Sequence, residues 1–137
     1  MTNEKLDNLV RIRQLKAEPA TKEEIAGLLR SGTARLEDAK NESLSQESRF
    51  DLAYNAAHAL SLAALRHAGY RSESRYLVFQ CTQHTLDLAA EQWRVLDQAH
   101  RKRNLAEYEG DIDVDDQLLD ALIRVADMIA SKLHDQD

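Results

Sequence analysis

Apolar residues recur at helical spacing along most of the chain, and no window alternates polar and apolar positions for long enough to predict a strand. The strongest pattern runs from about residue 46 to residue 69, where small and branched apolar side chains cover nearly the whole circumference of one helix. A helix of this kind packs on several sides. The pattern predicts an all-α fold, an antiparallel up-and-down helical bundle of about five to six helices, with this helix as its most buried element. Its apolar positions include Ala53, Ala56, Ala57, Leu60 and Ala64.

Two amphipathic helices are predicted before the central one. The first lies within residues 3–16 and is separated from the next by Pro19, so residues 1–19 are predicted to form an N-terminal docking helix. The second begins behind a capping-box pattern at residues 21–24 and carries Gly32 on its apolar stripe. Because a glycine on a packed stripe leaves room for a neighbouring helix, we predict a close helix contact at Gly32. The apolar positions of the first helix are Leu6, Leu9, Val10 and Leu15.

Three further helices are predicted after the central one. One begins near Ser74, and residues 85–87 offer a cap for the helix that contains Trp93, although the spacing also allows one bent helix through both stretches. The carboxylates within residues 111–116 are interpreted as caps of the last helix rather than as a cation site. The core face of that last helix comprises Leu118, Leu122, Val125, Ile129 and Leu133.

Length and composition predict one cooperative domain over residues 1–137, since the chain can bury one core but not two. The formal charge is -6, with basic residues gathered between Arg94 and Arg103, which excludes a general DNA-coating role and leaves room for a local nucleic-acid contact. Cys81 is the single cysteine, so a disulfide framework and a cysteine-based metal site are excluded, and no cofactor is predicted. Without an apolar run of membrane-span length or a signal-peptide pattern, the sequence predicts a cytoplasmic protein with no membrane contact.

Arg103 is the residue whose predicted direction is unusual. In a helix, Arg103 lies in phase with Leu96 and Ala99, while most other basic residues of the segment face water. A guanidinium on an apolar face needs partners, because burying an unpaired charge costs several kcal/mol. The segment around Arg103 therefore needs a structural or a functional explanation.

Two interpretations of Arg103 remain open at the level of sequence. In the structural one, Glu107 or Asp51 pairs with a buried Arg103. In the functional one, the planar guanidinium of Arg103 holds a phosphate group. The residues that would then add hydrogen bonds or proton transfer are His100, Asn104 and Tyr108.

A polar row interrupts the apolar surface of the central helix at Asp51, Asn55 and His58, with spacings of four and three. In one interpretation these residues are core polar groups that neighbours satisfy. In the other, the row faces Arg103 and contributes, together with Glu107, to a substrate-binding surface.

Two blocks of the sequence carry a resemblance to a known family. The first block is residues 48–57, and the second runs from Arg101-Lys102-Arg103-Asn104 to Tyr108-Glu109-Gly110. Together they resemble small bacterial proteins of the HEPN superfamily. The resemblance covers residues 45–133 and implies an antiparallel helical bundle that often pairs as a homodimer.

The resemblance also implies a chemistry. Ribonuclease members of the superfamily, including toxins of toxin–antitoxin systems, follow an arginine and a polar residue with a histidine and cleave RNA without a metal ion. Arg103 and Asn104 match that motif, but Tyr108 stands where the histidine is expected. Tyrosine holds its proton too tightly to be an effective base near neutral pH. His100 or His58 could take the place of the missing histidine.

Two functional hypotheses follow. The first is a HEPN-like protein that binds RNA or a nucleotide and that could act as a degenerate metal-independent ribonuclease. The second is a non-catalytic dimeric interaction module that docks a partner protein, such as an antitoxin or a nucleotidyltransferase. A homodimer seam on the Arg103 helix is expected, because a face carrying Trp93, Leu96 and Ala99 would otherwise be exposed.

Overall fold

The computed structural model describes residues 3–110 and 114–135. Within these ranges the chain forms six helices and one short two-stranded ribbon, so the predicted all-α helical bundle is confirmed. Asp111–Asp113, part of the predicted capping run, lie outside the described residues. The elements in chain order are α1 (Glu4–Arg11), β1 (Lys16–Ala17), α2 (Lys22–Ala39), α3 (Gln46–His67), β2 (Tyr70–Arg71), α4 (Arg75–Thr85), α5 (Ala90–Glu109) and α6 (Asp116–Asp135).

Helix α3 is the centre of the bundle and packs against α2, α4 and α6. It begins where the hydroxyl of Ser45 accepts a hydrogen bond from the Ser48 N–H at 3.1 Å, and it ends before Gly69, whose φ of 93° is ordinary for glycine alone. The prediction that this helix is the most buried element is confirmed. Residues with almost no exposed surface include Ala56, Ala57, Leu60 and Ala64.

Gly32 allows α2 and α3 to lie unusually close together. A Cβ atom placed on Gly32 would lie 2.7 Å from Cγ and 2.9 Å from Cδ2 of Leu60, a side chain that is fully buried. Such distances are shorter than a carbon–carbon contact allows. The close helix contact predicted at Gly32 is therefore present.

The N-terminal helix α1 packs on its own chain. Leu6 and Leu15 are buried in a small second core formed with Leu65, Val78 and Cys81, which joins α1 to α3 and α4. Asn3 begins α1 by accepting hydrogen bonds from two backbone N–H groups of the first turn, as N-cap residues do. Docking of this helix onto a partner stays a prediction.

The junction between α4 and α5 differs from the prediction. These are two separate helices, and the cap of α5 is not within residues 85–87, where α4 ends. Instead the Ala89 N–H donates to the side-chain oxygen of Gln92 at 2.9 Å. This is one of the two hydrogen bonds of a capping box; the other needs a side-chain oxygen at the first position, which alanine lacks. The buried side chains of Leu86 and Leu88 hold the connection against the core. The cap was missed because no Ser, Thr, Asp or Asn marks it.

The apolar face expected on α5 is already covered within one chain. Leu96 and Ala99 are fully buried in the main core, and Trp93 is half-buried. The argument that this face must be covered by a second copy was therefore wrong, and the homodimer remains a prediction without that support. Among the described residues, no helix is both long enough and apolar enough to span a membrane.

Arg66, near the end of α3, is the buried cation of the fold. Its side chain is 4% exposed. It donates from Nε and Nη2 to the two carboxylate oxygens of Glu24, each at 3.1 Å, which lowers the pKa of Glu24. It also donates to the backbone carbonyls of Glu18, Pro19 and Tyr70 at 2.8, 3.3 and 3.1 Å. The guanidinium thus ties α3 to α2, to the segment before α2, and to β2.

Replacing Gly32 by alanine should lower the free energy of unfolding by about 1–3 kcal/mol, because the buried Leu60 has no space into which it can move. Helix propensity alone would favour alanine by about 1 kcal/mol, so the sign of the change tests the packing.

Gly27→Ala is the matched control on the same helix, because its Cβ would meet only the Arg30 guanidinium at 3.9 Å. It should raise stability by about 0.5–1 kcal/mol. Urea denaturation measures both variants, and stabilisation by both would contradict the close α2–α3 contact.

Candidate functional site

Side chains from α3, α4 and α5 meet at one surface, which we call the cationic cluster: Tyr54, Arg75, His100, Arg103 and Asn104. The ring of His100 lies at its centre. Its Nδ1 is 3.0 Å from the Tyr54 hydroxyl oxygen, and its Nε2 is 3.3 Å from the amide nitrogen of Asn104 one turn later. His100 is thus held from both sides.

The hydrogen bonds of His100 fix its orientation and its charge. If the Asn104 amide donates to Nε2, the proton is on Nδ1 and is donated to the Tyr54 oxygen; rotation of the amide reverses both bonds. Both arrangements use a neutral imidazole. Partial burial lowers the pKa of His100, and the charge of Arg75 acts in the same direction, against the opposing effect of Asp97. Near neutral pH, His100 is therefore an uncharged hydrogen-bonding group.

Two guanidinium groups lie against the buried ring of Tyr54. The Cζ atom of Arg103 is 5.0 Å from the ring centroid, and that of Arg75 is 5.5 Å from it. Both distances are within the range of cation–π attraction. Burial raises the pKa of Tyr54 despite the opposing charges of Arg75 and Arg103, so its hydroxyl stays protonated.

The Arg103 side chain is partly buried and has two distant carboxylate partners. Its side chain is 27% exposed, and its guanidinium lies 3.6 Å from a carboxylate oxygen of Asp51 and 3.8 Å from one of Glu107. Both distances exceed hydrogen-bond length, and both carboxylates are more than half exposed. Ion pairs of this kind contribute little to stability. The structure therefore combines features of both interpretations, since Arg103 has the predicted partners but remains accessible.

Arg75 is exposed and has no carboxylate partner among the residues that the structure describes. Its Nη1 donates to Oδ1 of Asn55 at 3.1 Å, and the Asn55 amide in turn donates to the Asp51 carbonyl at 2.9 Å. Asn55 therefore positions Arg75 without neutralising it. Arg75 is the member of the cluster whose charge is most available to an anion.

His58 lies behind the cluster. Its ring meets Phe79 edge-on, with centroids 5.9 Å apart, and Phe79 separates it from His100. Burial, reinforced by the charges of Arg75 and His100, lowers the pKa of His58 to about 4. A histidine in this state is uncharged near neutral pH and adds no charge to the cluster.

The structure brings together most of the predicted site residues. His100, Arg103 and Asn104 lie in the cluster, with Asp51 and Glu107 beside Arg103 and with Asn55 joined through Arg75. Tyr108 is separate from them. Its side chain is 91% exposed and has no recorded contact with the cluster in the described part of the chain.

Sequence reasoning missed Tyr54, Arg75, Tyr76 and Phe79, which surround His100. For Tyr54 a signal exists, because it follows Asp51 by three positions and so shares its side of α3. No such signal exists for the α4 residues. Their place depends on how α4 crosses α3, which spacing within one helix cannot reveal.

A groove of about 620 Å³ opens on the other side of Arg103, between the start of α3 and the end of α5. Among the described residues that line it are three carboxylates, those of Glu47, Asp51 and Glu107, and a single cation, Arg103. Its apolar lining residues are Leu44, Leu52 and Ala106. Arg103 therefore lies at the boundary between an acidic groove and the cationic cluster.

No protein-family model matches this chain, and no match is found among the curated proteins or the solved structures. The resemblance to HEPN proteins thus stays a prediction. In the described ranges, no group of three or more His, Cys, Asp or Glu residues is arranged to hold a metal ion.

The burial of His58 should be visible in the pH dependence of stability. In the unfolded chain, His58 takes up a proton near its ordinary pKa of 6.5, whereas in the folded chain it does so at about 4. The unfolded state therefore binds more protons in this window, and stability should fall as the pH decreases from 6.5 to 4.

In His58→Gln this part of the pH dependence should be absent, whereas the exposed His67 provides the control, His67→Gln. Urea unfolding at several pH values and NMR titration of the histidine rings measure the effect. Parallel pH profiles for wild type and His58→Gln would contradict the assigned burial.

Proposed function

We propose that the chain is a HEPN-like protein that binds RNA or a nucleotide through a phosphate group at the cationic cluster. The supporting observation is the pairing of two guanidinium groups on one tyrosine ring, of which Arg75 has no carboxylate partner among the described residues. Arginine forks suit phosphate oxygens because they donate two parallel hydrogen bonds in a fixed plane.

On binding, Arg103 would exchange its two carboxylate partners for the phosphate group. Its contacts with Asp51 and Glu107 are long and solvent-exposed, so a phosphate that forms short charge-assisted bonds can replace them at small cost. Half-burial against Tyr54 limits the motion of the guanidinium before the ligand arrives. A side chain ordered in advance loses less entropy on binding.

His100 and Asn104 would supply neutral hydrogen bonds beside the two arginines. Asn104 is exposed, and its amide can turn from His100 toward a ligand without breaking the helix. Tyr54 holds His100 through Nδ1, so the imidazole keeps its direction when Asn104 moves. These groups fit a sugar hydroxyl or a base edge next to the phosphate.

The arrangement favours binding over cleavage. A metal-independent ribonuclease needs a proton-transfer group next to the phosphate-binding arginine, and Tyr108, which occupies the place of the superfamily histidine, extends into solvent. His100 is the nearest candidate, but both of its nitrogens are engaged within the protein. Degenerate ribonuclease activity is therefore the weaker part of the first hypothesis.

The acidic groove favours a second candidate function, a non-catalytic interaction module. A groove with apolar and carboxylate side chains suits a basic segment of a partner protein, such as an antitoxin or a nucleotidyltransferase, or of a second copy in the predicted homodimer. Leu105 and Tyr108 are exposed on α5, the helix that forms one wall of the groove. In that case, the positive charge of Arg103 would make the groove less negative, and Arg103 would not bind phosphate.

Charge-neutralising variants separate the two functions. Arg75→Gln and Arg103→Gln should each weaken binding of a labelled single-stranded RNA of mixed sequence by about 1.5–3 kcal/mol, because each removes a charge-assisted contact. Asp51→Asn should strengthen the same binding by up to about 1 kcal/mol, since it releases Arg103 from a competing carboxylate. Fluorescence anisotropy at one fixed salt concentration measures all three.

Arg124→Gln removes one exposed charge from α6 and serves as the control. The thermal midpoint of Arg103→Gln should stay close to that of wild type, which shows that a binding defect is not a folding defect. Equal RNA affinity in wild type, Arg75→Gln and Arg103→Gln would exclude the phosphate site and leave the interaction module.

A further inference from the structure

A second charged pocket lies at the opposite end of α3, beside the β1–β2 ribbon and the turn that follows α1. Its volume is about 280 Å³. Three cationic side chains line it, those of Arg13, Lys16 and Arg71, together with the carboxylates of Glu18 and Glu73. We propose that this pocket binds the phosphate group of a small phosphomonoester, at a site separate from the cationic cluster.

The pairing of the ribbon brings two positive charges together. Lys16 in β1 lies directly opposite Arg71 in β2, and the strands are antiparallel. Like charges at directly opposite positions destabilise a strand pair, whereas an anion between them reverses the sign of the interaction. The ribbon has two residues on each strand and keeps this pairing despite the repulsion, because Arg66 donates hydrogen bonds to the carbonyls of Glu18 and Tyr70 beside it.

The carboxylates of the pocket do not balance its cations. A single oxygen, Oε2 of Glu18, lies 3.2 Å from Nη1 of Arg71 and also 3.2 Å from Nη2 of the buried Arg66. Neither Arg13 nor Lys16 has an ion-pair partner within residues 3–110 and 114–135. An excess of positive charge therefore remains in the pocket when no ligand is bound.

The backbone conformation at Arg13 also supports a ligand-binding role for this pocket. Helix α1 ends with the Gln14 N–H donating to the Leu9 carbonyl at 2.9 Å, and this turn places Arg13 at a φ of 64°. Glycine normally occupies that position because a side chain is strained there. Arg13 nevertheless occupies this strained position, and its side chain lines the pocket.

The size and the donors of the pocket identify the class of ligand. Its volume lies just below the range of typical small-molecule sites, so it accommodates a phosphate with a small attached group rather than a whole nucleotide. Arg13 and Arg71 can each donate two hydrogen bonds to phosphate oxygens. Ser72, whose hydroxyl oxygen accepts from the Ser74 N–H at 3.1 Å, keeps its own proton for donation to the ligand.

The proposal predicts that residues needed for binding reduce stability when no phosphate is present. Arg13→Gly should raise the thermal midpoint in chloride buffer, because glycine adopts the positive φ without strain, and Lys16→Gln should raise it by removing the like-charge pair. Each variant should weaken the binding of inorganic phosphate, measured by calorimetry at matched ionic strength, by about tenfold or more. Arg124→Gln, which removes an exposed charge from α6, should change neither quantity.

Two results would overturn the proposal. One is wild-type protein that binds inorganic phosphate no better than the Arg13→Gly variant does. The other is a lower thermal midpoint for Arg13→Gly in chloride, which would make Arg13 a structural residue.

Binding of a short RNA to the same variants identifies the source of the phosphate. An unchanged RNA affinity in variants that lose phosphate affinity supports a free phosphomonoester as the ligand. An RNA affinity that falls together with the phosphate affinity would contradict the phosphomonoester and assign the pocket to a nucleic-acid phosphate. Because Arg75 and Arg103 are unchanged in these variants, failure at this pocket does not affect the cationic cluster.

Discussion

The buried guanidinium of Arg66 is the interaction on which the arrangement of the chain depends. The burial takes a charge out of water, and the guanidinium offsets that cost with hydrogen bonds that it donates to three different segments, namely to the carboxylate of Glu24 and to the carbonyls of Glu18, Pro19 and Tyr70. If one of these segments moved away, the buried charge would lose part of the hydrogen bonding that offsets its burial. The end of α3, the start of α2 and the β1–β2 ribbon are therefore held together as one unit.

This unit also positions the candidate sites. Strand β2 leads directly into α4, which carries Arg75, Tyr76 and Phe79 across α3 to His100. In the other direction, Arg66 shares the Glu18 carboxylate with Arg71 and so limits how far that carboxylate can neutralise the pocket beside the β1–β2 ribbon.

Much of the fold could be predicted because local rules decide it. The apolar circumference of α3, the start of α4 near Ser74 and the glycine at position 32 each act within one or two helical turns or at one contact. Arg66 could not be distinguished in the same way. Near the end of a helix it resembles an ordinary cation that interacts with the macrodipole, and its burial depends on residues more than forty positions earlier in the chain.

The candidate site was predicted in part for the same reason. His100, Arg103, Asn104 and Glu107 share one helix, so their proximity follows from helical spacing, and Asp51 reaches them from α3. Arg75 comes from α4, whose crossing of α3 no spacing rule describes. Tyr108 was expected near Arg103 from the resemblance to HEPN proteins, yet its direction at the end of α5 leaves it in solvent.

The most direct test of the role of Arg66 is the free energy of unfolding of Arg66→Gln, measured by urea denaturation next to Arg103→Gln. Removing the buried cation should destabilise the fold by about 3–5 kcal/mol, because glutamine cannot satisfy the five oxygen atoms to which Arg66 donates. Removing the partly buried Arg103 should change stability by about 1 kcal/mol or less. A loss for Arg66→Gln no larger than that for Arg103→Gln would contradict the central place of Arg66 in this structure.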